Sequence, residues 1–183
     1  MKPLFVATLA TAGLALNQSA LALSVSANAG PDAAGVEASQ TIFPTLRAGV
    51  GYLRSDDSGA DADIYSGSLM FTPFVPGIDV AVGARYQYQD TAFGDGGGLG
   101  LGGSLFVPTP IPLTSVGGYG FYTPDGLTHG DIDRSYEYGA QARVELVSHT
   151  YAYGGYRYYR TDFDDGGDHT LDSGPVIGVS VGF

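Results

Sequence analysis

The sequence predicts an all-β fold: a transmembrane, antiparallel, up-and-down β-barrel of ten strands, preceded by a cleaved signal peptide. Three observations lead to it. The N-terminus carries the parts of an export signal in order, later segments alternate apolar and polar residues over ten or more positions, and the chain ends on an alternating strand closed by Phe183. A water-soluble sandwich also alternates, so the length of the alternation decides. A typical soluble strand has about 5–6 residues, whereas a tilted strand needs about 9–11 to cross a bilayer.

Composition narrows the function classes first. The chain has 183 residues, 19 acids against 8 bases, a formal charge of -11 and no cysteine. An acidic balance argues against nucleic-acid binding, which wants a basic footprint. The lack of cysteine removes disulfides and thiolate metal sites and suits passage through an oxidising periplasm. No cofactor and no metal are expected.

The export signal comes next in chain order. Met1-Lys2 is the positive n-region and Leu4 to Leu16 the apolar h-region, too short for a membrane helix of about 20 residues. Ala20-Leu21-Ala22 is an A-x-A cleavage pattern, with Ala27-Asn28-Ala29 as a second one. Cleavage after Ala22 divides the chain into a signal peptide, 1–22, and a single barrel domain, 23–183. No later stretch is long and apolar enough for a membrane helix.

Ten strands fit the remainder: 23–29, 35–42, 45–54, 62–72, 78–90, 97–107, 112–122, 134–147, 150–161 and 171–183. The clearest is 78–89, where Ile78, Val80, Val82, Ala84, Tyr86 and Tyr88 alternate with Asp79, Ala81, Gly83, Arg85, Gln87 and Gln89. A period of two sends these sets to opposite faces of a strand. Residues 136–146 repeat the pattern, as do Ile177, Val179, Val181 and Phe183 against Gly178, Ser180 and Gly182. Tyrosines gather near the ends of the apolar faces, as in an interfacial girdle. Short Pro-containing turns (74–77, 108–112) and Val147 to Thr150 take turns with longer acidic loops (55–63, 90–96, 123–133, 162–170), the pattern of periplasmic turns and external loops. The first two strands have low contrast, so an eight-strand barrel with a periplasmic N-terminal arm is the alternative.

The final residues, Val176 to Phe183, resemble the outer-membrane assembly signal: Gly178 stands five positions before the terminal aromatic Phe183, and hydrophobic Val181 two before it. Val176 departs from the polar start of that signal, and Val181 from its aromatic. Leu23-Ser24-Val25-Ser26 directly after Ala20-Leu21-Ala22, Gly154-Gly155-Tyr156-Arg157-Tyr158 with the Asp-rich stretch after it, and the ending Gly178 to Phe183 together resemble the YfaZ family of small predicted outer-membrane proteins. The resemblance implies a barrel of the bacterial outer membrane, exported through the periplasm. It carries over no catalytic or ligand residue.

The strand parity sorts the charged residues. The mature chain has seven arginines and no lysine. Arg47, Arg85, Arg143 and Arg157 read as mid-strand on the inner face, together with Asp79, Glu137, Gln141 and Glu145. A lipid-facing arginine at mid-depth costs about 2–4 kcal/mol. As lumen-lining residues they either set the selectivity of a narrow pore or pair and plug a small barrel; inner glycines such as Gly49, Gly51, Gly83, Gly98, Gly100 and Gly139 leave room. Arg54 and Arg160 have the parity of the lipid face and sit at external strand ends, where arginine grips lipopolysaccharide phosphates or snorkels to water. Asp162-Phe163-Asp164-Asp165-Gly166-Gly167-Asp168 faintly resembles a calcium loop, but Gly166 and Ser173 stand at its fifth and twelfth positions. It reads as a solvated loop.

Three functional readings follow: a narrow pore or transport-related barrel, a closed structural or interaction barrel acting through its acidic loops in envelope integrity or adhesion, and, as a minor one, a surface hydrolase using His129 or His169. No strand places a serine or aspartate beside either histidine, so an enzyme is not expected. The expected partners are outer-membrane lipid and lipopolysaccharide, and the barrel-assembly machinery during biogenesis, with the barrel itself a monomer.

Overall fold

The computed structural model describes residues 22–57, 60–164 and 167–183. The expected export signal and its cleavage site fall almost wholly outside these residues. Alternation produces the strands β1 (Leu23–Ala29), β2 (Ala33–Phe43), β3 (Leu46–Asp57), β4 (Ala60–Phe71), β5 (Asp79–Thr91), β6 (Gly94–Pro108) and β7 (Thr114–Thr123). A 3-10 turn (Asp125–Leu127) and the short β8 (Thr128–Gly130) precede β9 (Ile132–Val147), β10 (Thr150–Phe163) and β11 (Gly167–Gly182). Each long strand is antiparallel to its neighbours, β7 pairs with β9, and β8 sits on the end of β6. The last strand returns to the first, with Val25 opposite Val181 and Ala29 opposite Ile177. The result is a closed ten-stranded barrel, and the eight-strand alternative falls away because the low-contrast β1 and β2 are wall strands.

An even number of strands brings both termini to one end, the periplasmic end of an outer-membrane barrel. The opposite end differs from the sequence expectation. The acidic stretches read as long loops are mostly strand: Asp56 faces Asp61, Asp90 faces Asp95, and Asp162 faces Asp168. Asp and Gly are poor strand formers, but each pair continues a register already set by the apolar residues below it. The stretch 123–133 likewise holds the 3-10 turn and β8 rather than an open loop.

The outer face is apolar. Ile177 is 70% exposed, and Val50, Leu101 and Val82 elsewhere around the wall are exposed too, an arrangement that water would penalise and lipid rewards. Tyr52, Tyr65 and Tyr88 stand side by side in register, and the Tyr138 and Tyr158 rings stack at 5.2 Å. These tyrosines form the outer girdle, and the acidic hairpins rise above it. At the periplasmic end the exposed apolar side chains include Phe43, Phe74, Ile111, Leu113, Val147 and Phe183.

The core lies inside the barrel, in its outer half. Ala62, Ile64, Tyr159 and Leu171 form one buried apolar cluster, with Leu53 packed against it and Tyr159 wholly buried. Its polar edge is satisfied. Gln89 Nε2 donates to the Tyr159 hydroxyl at 2.8 Å, Thr161 Oγ1 donates to Gln89 Oε1 at 2.9 Å, and Ser55 Oγ donates to the Leu171 carbonyl. A β-bulge opposite Tyr159 and Arg160 makes Leu171 the extra residue of β11. Leu171 and Asp172 are therefore both buried, although alternation would send them to opposite faces.

The terminal residues have a structural role of their own. Phe183 N donates to the Leu23 carbonyl at 2.8 Å and completes the closing seam. A Cβ on Gly178 would stand 2.5 Å from the Ala27 carbonyl and 2.4 Å from the Tyr153 ring, which lies across that position.

Two outcomes are expected. Unboiled protein in SDS migrates differently from boiled protein on a gel; identical mobility contradicts a closed barrel. Tyr159→Ala lowers the unfolding free energy in lipid vesicles by about 3–5 kcal/mol, as for a buried aromatic, measured by urea titration.

Candidate functional site

The lumen is layered, and its charged residues occupy the middle. Arg85 on β5 reaches across to Glu137 on β9, with two strands of the wall between them, in a salt bridge. Its guanidinium lies 3.9 Å over the Phe121 ring. That ring lies so close to Gly102 of the neighbouring strand that any Cβ there would collide with it at 2.7 Å. Backbone, aromatic ring and guanidinium are stacked inward from the wall. The Gln87 amide, oriented so that both of its ends are satisfied, accepts from Arg85 at 3.1 and 3.2 Å and donates to the Tyr159 hydroxyl at 3.2 Å. The charged layer is thus tied to the apolar plug above it.

Arg157 on β10 pairs with Asp172 on β11 through Nε, and Nη1 donates to Asn28 Oδ1 on β1 at 3.0 Å. Nearer the periplasm, Arg143 pairs with Asp79 at 3.0 Å, donates to Ser115 Oγ at 3.3 Å and lies 3.5 Å over Phe106. Taking charges out of water is costly, and the buried Arg85–Glu137 and Arg157–Asp172 pairs repay it through fixed geometry and added hydrogen bonds, whereas Asp79 stays in contact with water. Removing one partner of such a pair leaves a buried charge, at a cost of about 3–5 kcal/mol.

Below this layer the two sides of the lumen differ. The wall from β5 to β10 carries Phe106, Tyr119, Phe121, Arg143 and Tyr153, all large. The wall from β1 to β4 carries Ser26, Ser39, Gly49, Gly51, Ser66 and Ser68, all small and partly open to water. The barrel is consequently hollow on one side in its periplasmic half. A cavity of about 70 Å³ is lined by Asn28, Glu37, Ser66, Arg85, Glu137 and Arg157, among others.

The residues proposed from parity divide among these places. Arg85, Glu137, Gln141, Arg143 and Arg157 face the lumen, and Gln141 lies flat against Gly155. Glu145 is near the periplasmic rim, where it accepts from the His149 amide at 3.2 Å. Arg47 is a correction: it is the second residue of β3 and exposed at the mouth, not mid-strand. Arg54 and Arg160 stand above the girdle and are held by carboxylates. Arg54 lies 3.7 Å from Asp61 and 3.9 Å from Asp63, while Arg160 lies 3.9 Å from Asp162 and pairs with Asp168. Arg134, which the sequence reading did not single out, joins them by pairing with Asp162. It has the same parity as Tyr136 and Tyr138, so alternation was enough to place it on this face. Glu37 and Asn28 were also missed, and both have the inward parity of their strands.

The histidines are scattered. His129 on β8 lies against the outer face, its Nε2 2.8 Å from the Tyr86 hydroxyl. His169 stacks on Phe93 with ring centres 3.6 Å apart at the outer mouth. His149 forms the β9–β10 turn with a φ of 62°. Asp162 and Asp168 of the calcium-like stretch face arginines.

A model of the family described as YfaZ precursor matches residues 1–183. Outer membrane protein YfaZ of Escherichia coli (strain K12) is 29% identical over 185 residues, which cover 96% of this chain and 98% of that protein. Among solved structures, the N-terminal β-barrel domain of Pseudomonas aeruginosa OprF is similar at a TM-score of 0.43 and 10% identity, over 89% of this chain and 96% of that one. Neisserial surface protein A is similar at a TM-score of 0.41 and 13% identity, with the same coverage of 89% and 96%. The chain belongs to the YfaZ family, and it is a protein of the outer membrane.

Proposed function

We propose that this protein is a closed, monomeric outer-membrane barrel that serves the envelope through its surface and not as an open pore. The observation that carries this reading is the plug. Tyr159, Ile64, Leu171 and Ala62 fill the outer half of the lumen, and the Arg85–Glu137 pair crosses it just below. An ion would have to displace a packed apolar cluster and break a paired charge layer to pass. The pore reading needs both to move.

The surface that remains for function is the rim above the tyrosines. There Arg54, Arg134 and Arg160 alternate with Asp61, Asp63, Asp162 and Asp168. This mixed-charge band suits lipopolysaccharide, whose phosphates take guanidinium donors and whose bridging divalent cations take carboxylates. The closing strand, with Gly178, Val181 and Phe183, is the segment offered to the assembly machinery.

Wild-type barrel inserted in a planar bilayer is expected to give no discrete conductance steps, and the triple change Ile64→Ala, Tyr159→Ala, Leu171→Ala is expected to give them. Reproducible steps from the wild type would overturn the closed-barrel reading. Arg134→Ala with Arg160→Ala is expected to reduce the lipopolysaccharide retained on the purified barrel; unchanged retention would remove the rim from lipid binding.

A further inference from the structure

We propose that the groove on the lipid-facing wall over β7, β9 and β10, at the periplasmic end of the barrel, is a binding site for one acyl chain of a phospholipid of the periplasmic leaflet. The inference goes beyond the closed-barrel reading and does not depend on whether the barrel conducts.

The first observation is a depression in an otherwise bulky wall. The outward residues of β3 to β6 include Val50, Leu69, Val82, Leu101 and Leu105, all large and exposed. On β9 and β10 the outward positions Ala142, Ala152 and Gly154 are small and stand together, with Ala142 opposite Gly154 and Val144 opposite Ala152. On β7, Val116 is opposite Ala142. With Ile111 of the β6–β7 turn these residues line a groove of about 590 Å³. That size falls in the range of about 300–1,000 Å³ of small-molecule sites.

The second observation is a brace at the lower end of the groove. The β6–β7 turn carries Pro108, Pro110 and Pro112, whose rings fix their own φ angles. The Ile111 carbonyl accepts from the Thr114 amide at 3.3 Å and from the Thr114 hydroxyl at 2.6 Å. The Leu113 carbonyl accepts from the Glu145 amide of β9 at 2.8 Å. The turn is thereby tied to the wall beside it, and Ile111 stands 66% exposed at the edge of the groove. A brace of this kind keeps the groove from collapsing, so the site is formed before its ligand arrives.

Location and shape select the occupant. The protein is in the outer membrane, and this face meets hydrocarbon, where no water is at hand. A depression left empty there forfeits dispersion contacts on the atoms that line it. A second barrel presents a convex wall, which cannot enter a depression about 10 Å across, the width of three strands. A single hydrocarbon chain can. The groove lies at the end where both termini lie, so the chain comes from the periplasmic leaflet. Arg143 points inward to Asp79 and offers no charge to the lipid side; the site reads the chain and not the headgroup.

The test is photocrosslinking of the full folded barrel in phosphatidylcholine vesicles that contain a small fraction of phosphatidylcholine with a diazirine on one acyl chain. Adducts are located by peptide mass spectrometry. Val116 and Val144 are expected to carry adducts at about threefold or more the level on the exposed Val50 and Val82, a preference that needs less than the ~1.4 kcal/mol of a tenfold change. Ala142→Leu with Ala152→Leu fills the groove from the lipid side and leaves the lumen side chains as they are. This double variant is expected to keep the gel shift of the closed barrel and to bring the adducts on Val116 and Val144 down to the level on Val50 and Val82. Equal labelling of the four valines in the wild type would mean ordinary boundary lipid only and would overturn the proposal, whatever the variant does. Unchanged labelling in the double variant, or crosslinks between two copies through this face in place of lipid adducts, would overturn it as well.

Discussion

The structure depends on the closure of one sheet. Lipid supplies no partner for a free backbone N–H or C=O, so a sheet that crosses a membrane must leave no edge. Here the seam is the pairing of β1 with β11, completed by the Phe183 amide on the Leu23 carbonyl. Closure makes the weakly patterned N-terminal strands indispensable, because without them the last strand has nothing to meet. It also fixes the number of strands, and with it a lumen that the side chains must fill or leave to water.

This chain does both. In the outer half it builds a small soluble-type core inside the barrel, around Tyr159. In the middle it stacks guanidinium on aromatic ring on backbone, and it ties the charges across to Glu137 and Asp172. In the periplasmic half it stops filling: the wall from β1 to β4 is serine and glycine, and the space beside it is hollow. The same inward parity thus yields a plug at one end and a vestibule at the other, according to residue size alone. An apolar outer wall and a plugged outer mouth leave the mixed-charge rim as the place for polar chemistry.

Most of the wall was legible because period-two alternation is a local property. The strands near 78–90 and 134–147 follow from apolar residues whose face is set by lipid, and the inward arginines follow from the same rule. What was not legible depends on partners. Asp172 hides behind a bulge at Leu171 that shifts the parity of β11. The acidic hairpins lack strand-forming residues and pair only because the strands beneath them are in register. The salt bridge from Arg85 to Glu137 crosses the lumen between non-adjacent strands, a relation that exists only after closure. Glu37 carried the right parity but no signal of its own.

A lumen plugged by Tyr159 and its neighbours is dry at its outer end and open to water among the small residues at its inner end. Because the chain has no cysteine, single Ser66→Cys and Thr161→Cys variants in oriented proteoliposomes can be probed with a membrane-impermeant maleimide from each side. The account predicts that the cysteine at 66 reacts from the periplasmic side alone and that the one at 161 reacts from neither. Labelling at 161 from the outside, or at 66 from both sides, would contradict it.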